Sequence, residues 1–250
     1  MKVQGCTALV TGANRGLGKA FVKALLQAGA RRIYAAAKDP AKLKSLVDTD
    51  SRLVPIHIDI TSEDLVQAAA KQCRDVNLLV NNAGIVLNLG IMTTPDLEDG
   101  RAEMEVNYWG MVRMCRHFAP ILGANGGGAI VNVLSNLALV HMPFMGTYCT
   151  SKAAALSATY GVRAHLRRQG TLVVAVLPDA IDTDMSADFD GPKIAPESVA
   201  SAAVAAVEEG REDLFGPEVG DPWRWGVRFY SEPKAVEREA ADLGTLPAAS

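Results

Sequence analysis

The chain has 250 residues, 49% of them apolar and 21% charged, and a formal net charge of -3. This is the make-up of a soluble globular protein long enough to bury a core without disulfides or a structural metal. The small net charge, with no concentrated basic stretch, argues against a nucleic-acid or anionic-membrane partner, and no apolar run is long enough to cross a bilayer.

Apolar, β-rich runs alternate with amphipathic stretches almost from end to end. Residues 6–10 read as a first strand, followed by a glycine-rich turn and a helix over 17–28. Strands follow at 33–37, 53–58 and 78–80, the last running into Asn81-Asn82-Ala83-Gly84. Further apolar runs lie at 129–134 and 172–177, and helices are expected over 64–73, 97–122, 147–168 and 198–208. Short continuous apolar runs suit strands buried on both faces of a parallel sheet. Their alternation with helices predicts one doubly wound α/β domain over residues 1–250, with about seven strands and helices on both faces. Gly126-Gly127-Gly128 reads as a loop entering a strand. The segment from about 211 to 250 is irregular. Its Trp223, Trp225 and Phe229, among Pro217, Pro222 and Pro233, either cover a cleft or pack on the body or a second subunit.

Cys6, Cys73, Cys115 and Cys149 are scattered, without metal-ligand or disulfide spacing, which predicts reduced thiols, no metal site and a cytoplasmic location. Cys149 reads as a small buried hydrophobe rather than a nucleophile. Met1 leads directly into the first strand, with no signal-peptide pattern.

Between the first strand and first helix lies Thr11-Gly12-Ala13-Asn14-Arg15-Gly16-Leu17-Gly18. A dinucleotide pyrophosphate needs exposed backbone N–H groups with no Cβ in the way, and glycines at a strand-to-helix turn supply both. This spacing resembles the short-chain dehydrogenase/reductase family, a Rossmann fold, and further marks follow in order over roughly residues 5 to 185: Asn81-Asn82-Ala83-Gly84, Asn107, Ser135, and Tyr148 with Lys152. The resemblance implies that Gly12, Asn14, Arg15, Gly16, Leu17, Gly18, Asn82, Ala83 and Gly84 contact a nicotinamide cofactor. It implies the same for Asp59 and Ile60 near the adenine, and for Pro178, Ile181 and Thr183 near the nicotinamide.

Cofactor choice is read at the end of the second strand, where an acid would repel a 2′-phosphate. Aligned on the family, that position is Ala37, followed by Lys38, with Arg15 beside the same pocket; two cations favour NADP(H). Asp39 is the counter-argument, at about the distance of an NAD-site acid. Pro40 after it suggests instead a cap at a helix start. A helix cap is the competing role for Asp59.

Tyr148 and Lys152, four apart on one helix, share a face. A phenol titrates near ~10 in water, and a neighbouring ammonium, helped by the positive nicotinamide, should favour phenolate and lower that value. Tyr148 is the expected proton donor and acceptor of a carbonyl–alcohol interconversion. By resemblance, Lys152 binds the nicotinamide ribose, Ser135 orients the substrate oxygen, and Asn107 holds a water linking Lys152 to solvent. Asp179 replaces the family's usual glycine after Pro178, where the resemblance implies unusual, left-handed torsions that Asp tolerates better than most residues.

The apolar stretch between Ser135 and Tyr148, with a short substrate-covering segment at about 180–200, implies ketone or aldehyde substrates with apolar groups. His141 there reads as a surface residue. The resemblance implies dimers or tetramers built on the helices over 97–122 and 147–168, and a C-terminal sequence unlike the tail that completes such tetramers leaves a homodimer or a monomer. A rival reading is a regulator that binds NADP(H) on the same fold without turnover.

Overall fold

The computed structural model describes residues 1–215 and 228–243. Seven strands, β1 (Thr7–Thr11), β2 (Arg32–Ala37), β3 (Leu53–His57), β4 (Leu78–Asn81), β5 (Ala129–Val133), β6 (Leu172–Leu177) and β7 (Asp213–Phe215), form one sheet in the order β3-β2-β1-β4-β5-β6-β7. Every neighbouring pair is parallel. This is the doubly wound Rossmann sheet that the alternating runs predict.

Adjacent residues of the central strands point to opposite faces and both faces are covered, so the strands carry no polar alternation. Ala8 and Val10 of β1 and Val174 and Val176 of β6 belong to one core layer, with α1 (Gly16–Gln27) and α7 (Pro196–Glu209) packed on it. Leu9, Val173 and Ala175 belong to the opposite layer, under α3 (Glu63–Gln72), α5 (Met111–Ala124) and α6 (Gly146–Leu166). The short α2 (Lys44–Val47) lies between β2 and β3.

The structure departs from the expected elements in three places. The helix expected over 97–122 begins as α4 (Glu98–Met104), passes through a π-helical turn at Glu105–Gly110 and continues as α5. Such turns concentrate at functional sites, and this one carries Asn107. The weak strand signal near the C-terminus hides β7, a three-residue edge strand. Beyond it, Pro233–Leu243 forms a helix whose Val236 and Ala240 are buried against Leu137, Val140 and Met142. Phe229 packs on the same cluster, which is the body-packing role; Trp223, Trp225, Pro217 and Pro222 lie outside the described residues.

The turn into β5 depends on glycine. Gly128 has φ +71°, and a Cβ there would stand 2.0 Å from the carbonyl oxygen of Asn77, which accepts from Ala129 N–H. Gly126, φ +89°, has open space around its Cβ position. Gly128→Ala is expected to lower Tm by roughly 3–10 °C, and Gly126→Ala by less, since it adds torsional strain without a clash. Equal losses in thermal melts would place the whole cost in the torsion.

Candidate active site

The strand order reverses between β1 and β4, and a crevice opens at their carboxyl ends. Thr11 Oγ1 accepts from the N–H groups of Asn82 (2.9 Å) and Ala83 (3.0 Å), while Asn82 Nδ2 donates to the Thr11 carbonyl at 2.9 Å. The glycine turn packs directly on this clasp: a Cβ at Gly18 would lie 2.1 Å from the Gly12 carbonyl oxygen and 2.7 Å from Asn82 Nδ2. The first turn of α1 holds no acidic residue, and its N-cap residue Arg15 makes no side-chain cap. Its leading N–H groups are available to an anion. A bare-backbone cradle at an uncapped helix start fits a dinucleotide pyrophosphate.

The cradle opens into a cavity of about 490 Å³ whose lining includes Gly12, Asn14, Arg15, Gly16, Leu17, Gly18, Asn82, Ala83, Gly84, Ser135, Tyr148, Lys152, Pro178, Ile181 and Thr183. The structure therefore brings together most of the residues that the sequence singles out. Ser135 follows β5, and its hydroxyl accepts from Leu137 N–H at 3.1 Å. Tyr148 and Lys152 project from the first turns of α6, both buried, with Lys152 Nζ 5.7 Å from the Tyr148 ring centre. Lys152 Nζ donates to the Val133 carbonyl at 3.1 Å.

Asn107 lies behind the cavity. Its Nδ2 donates to the Ile85 carbonyl and to Ser151 Oγ, and its Oδ1 accepts from Ile85 N–H, all at 2.9 Å. Protein groups thus engage both ends of the Asn107 side-chain amide.

Lys38, Asp59 and Ile60 do not line this cavity. Lys38 Nζ pairs with Asp59 Oδ2 at 2.9 Å, and Asp59 Oδ1 accepts from Thr61 N–H and Oγ1. Burial opposes ionisation of Asp59, but Lys38 and Thr61 outweigh it and hold the carboxyl below its usual range. Asp59 is not a helix cap; Ser62 caps α3. Ile60 turns its side chain into the core beneath Gly110. Asp39 is the cap that its neighbour Pro40 suggests, accepting from Ala41 N–H at 3.0 Å. Asp179 lines the cavity, and its Oδ1 accepts from Ala180 N–H at 2.8 Å. The left-handed turn expected there is absent, because Asn88 is the one non-glycine residue with positive φ among those described. His141 is exposed, and all four cysteines are buried.

The sequence reading passes over three contributors. Thr11 lies within the glycine motif, and its hydroxyl ties β1 to β4. Ser151, between Tyr148 and Lys152, links Asn107 to α6 by donating to the Tyr148 carbonyl at 2.8 Å. Glu103 is wholly buried although it stands in a charged helix that reads as solvated, so no local signal marks it.

The family model for short-chain dehydrogenases matches residues 6–192. The chain belongs to the short-chain dehydrogenase family. A short-chain dehydrogenase of Burkholderia cenocepacia J2315, whose crystal structure is a complex with NADP, superposes on this dehydrogenase with a TM-score of 0.89 at 40% identity, covering 99% of this chain and 100% of that one. A family member from Burkholderia phymatum, in complex with NAD, gives 0.83 at 25% identity, with both chains covered in full. A short-chain dehydrogenase of Penicillium crustosum is 34% identical over 183 residues, 71% of this chain and 66% of that protein's length. The chain is thus a member of an oxidoreductase family, of which one solved relative holds NADP and another NAD.

Burial dominates the electrostatics of the dehydrogenase's cavity floor. It pushes the Tyr148 phenol well above its ordinary value, with Ser135 hydrogen bonding acting the other way and the charges of Cys149 and Glu103 adding to the rise. The Lys152 ammonium, 5.7 Å from the ring centre and directed to the Val133 carbonyl, is not among the groups that shift it. Burial brings the Lys152 ammonium down to about 8. A lysine whose value falls on folding costs stability in full below that pH, and the cost fades as pH rises towards ~10.5, the unfolded value. Lys152→Met is therefore expected to raise Tm by a few degrees at neutral pH while abolishing turnover. The gain should be flat below pH ~8 and shrink between ~8 and ~10.5; melting curves across that range, showing no gain or one that grows with pH, would refute the cost.

Proposed function

We propose that this chain interconverts carbonyls and alcohols on small apolar molecules by hydride transfer with NADP(H). The observation that carries the reading is one cavity holding both the pyrophosphate cradle at the head of α1 and a buried Tyr148 flanked by Ser135 and Lys152. The bound nicotinamide would supply or accept the hydride. Charge building on the substrate oxygen then needs a proton and hydrogen-bond donors. Tyr148, held protonated by burial, gives its phenolic proton to that oxygen in reduction and recovers one in oxidation. Ser135 donates a hydrogen bond to the same oxygen. Lys152 reaches the ribose hydroxyls and offsets developing phenolate charge. Leu137, Met142, Phe144 and Met145 in the lining favour ketones or aldehydes with apolar groups.

NADP(H) is favoured by Arg15 and Lys38 with no acid at Ala37. Both cations carry carboxylate partners, Asp184 at 3.1 Å and Asp59 at 2.9 Å. Both cations are largely exposed, and the Arg15–Asp184 pair, exposed on both sides, is weak enough to yield to a 2′-phosphate. The relative that was solved with NADP supports the same choice. Half-exposed Trp109, on the π-helical turn, supports a homodimer along α4 and α5.

Oxidation of NADPH and NADH with a ketone and aldehyde panel tests the reaction. Tyr148→Phe should lose about 10²–10⁴ in kcat while still binding cofactor; an unchanged rate would remove Tyr148 as proton donor. Arg15→Ala with Lys38→Ala should cut the ratio of kcat/KM for NADPH over NADH by about tenfold or more. A wild type that prefers NADH would overturn the cofactor assignment.

A further inference from the structure

The segment after β4 runs along the cavity outside any strand, and side chains hold its backbone. Asn107 engages both the N–H and the carbonyl of Ile85 at 2.9 Å. Glu103 Oε1 accepts from Leu87 N–H at 2.7 Å. Thr147 donates to the Leu89 carbonyl through its backbone N–H and its Oγ1, each at 3.2 Å. Every second residue from 85 to 89 is thereby fastened to the helices around Tyr148. The residues between these pins, Val86 and Asn88, both line the cavity.

Two features of this ladder exceed what packing requires. Glu103 is 0% exposed and its Oε2 has no hydrogen-bond partner. Burying a carboxylate costs more than burying an apolar side chain of like size. What the carboxylate does accomplish is to accept the Leu87 N–H, one residue before Asn88. Asn88 itself sits at φ +53°, a conformation that persists where neighbouring contacts over-determine it and that clusters at ligand-binding positions. The pins at Leu87 and Leu89 are those contacts. They present an exposed amide, both donor and acceptor, on a lining that also carries the apolar Val86, Phe144, Met145 and Met185 and the exposed carboxylates Asp184 and Asp188.

We propose that Asn88 is a specificity-determining residue that hydrogen-bonds a polar group of the substrate remote from the reacting carbonyl, and that Glu103 is the positioning residue that holds it there. The substrate class is then an apolar ketone or aldehyde carrying a distant hydroxyl or carbonyl. This rests on the carbonyl-reduction reading of the cavity.

The probes are benzylacetone and its para-hydroxyphenyl counterpart, used with NADPH. Wild type should favour the hydroxylated ketone in kcat/KM by about twofold to tenfold, the worth of one hydrogen bond. Asn88→Ala and Asn88→Gly should both erase that preference through KM, leaving kcat for benzylacetone near wild type. Glu103→Gln, which keeps an accepting oxygen, should retain the preference, and Glu103→Leu should lose it. Glu103→Asp, one methylene short of Leu87, carries the same test where the leucine variant does not fold. A preference that survives in Asn88→Ala overturns the proposal, and one that survives in both Glu103→Leu and Glu103→Asp overturns the part given to Glu103. Dissociation constants of the two ketones for NADPH-loaded Tyr148→Phe, read from cofactor fluorescence, separate the two layers. Equal constants reject recognition by Asn88 whatever the turnover. Unequal constants with no wild-type turnover reject the reaction and leave the recognition standing.

Discussion

The seam between β1 and β4 is the constraint on which the rest of the site depends. Chain order runs outward from it in both directions, so no crossover covers the carboxyl ends of these strands and a crevice is left between them. An open seam exposes backbone groups that must still be satisfied. Thr11 and Asn82 do this reciprocally, the hydroxyl accepting two N–H groups and the amide donating to a carbonyl of the opposite strand end. Since a Cβ at Gly18 would stand 2.7 Å from Asn82 Nδ2, clasp and glycine turn form one packed unit. The cradle for the cofactor is thus the outer surface of the contact that holds the two halves of the sheet together.

On that floor the protein keeps two groups that water would normally hold. Lys152 and Glu103 are both buried, and each is tied to a backbone group of the cavity wall rather than to the other. Such placement weakens folding, and a continuous apolar core on both faces of the sheet offsets it. Burial is also what makes the phenol a reservoir for a proton. With Tyr148 held up and Lys152 brought down to about 8, the pair meets a bound molecule with the proton on oxygen and a cation whose charge responds to its surroundings.

The order of elements is legible in the chain because strands buried on both faces leave unbroken apolar runs, and because the glycine turn is a local steric requirement. Tyr148, Lys152 and Ser135 are legible through their resemblance to the family's motifs, in order behind the glycine turn. What spacing does not carry is partnership. Nothing near Lys38 in sequence tells that Asp59 holds it, and the acidity of Tyr148 depends on burial that no motif records. Glu103 hides among Glu98, Asp99 and Arg101, whose charges belong to a solvated face, while its own side chain turns inward. The π-helical turn is equally silent, because Glu105–Gly110 has an ordinary helical composition and its extra residue per turn is imposed by the packing around it.

That turn explains how the wall and the proton donor are kept in one frame. From Asn107, one path runs through the Ile85 N–H and carbonyl to the segment along the cavity. A second runs through Ser151 Oγ to the Tyr148 carbonyl, in the first turn of α6. A regular helix satisfies its own backbone ladder and sends side chains outward at fixed intervals. The wider π turn shifts that interval, and here it delivers one amide to both partners. A shift of the segment relative to the phenol would have to break bonds to a residue that is itself buried and held at both ends of its amide. The distance between the acid and the wall it faces is therefore set by the backbone of one helical turn, before any substrate arrives.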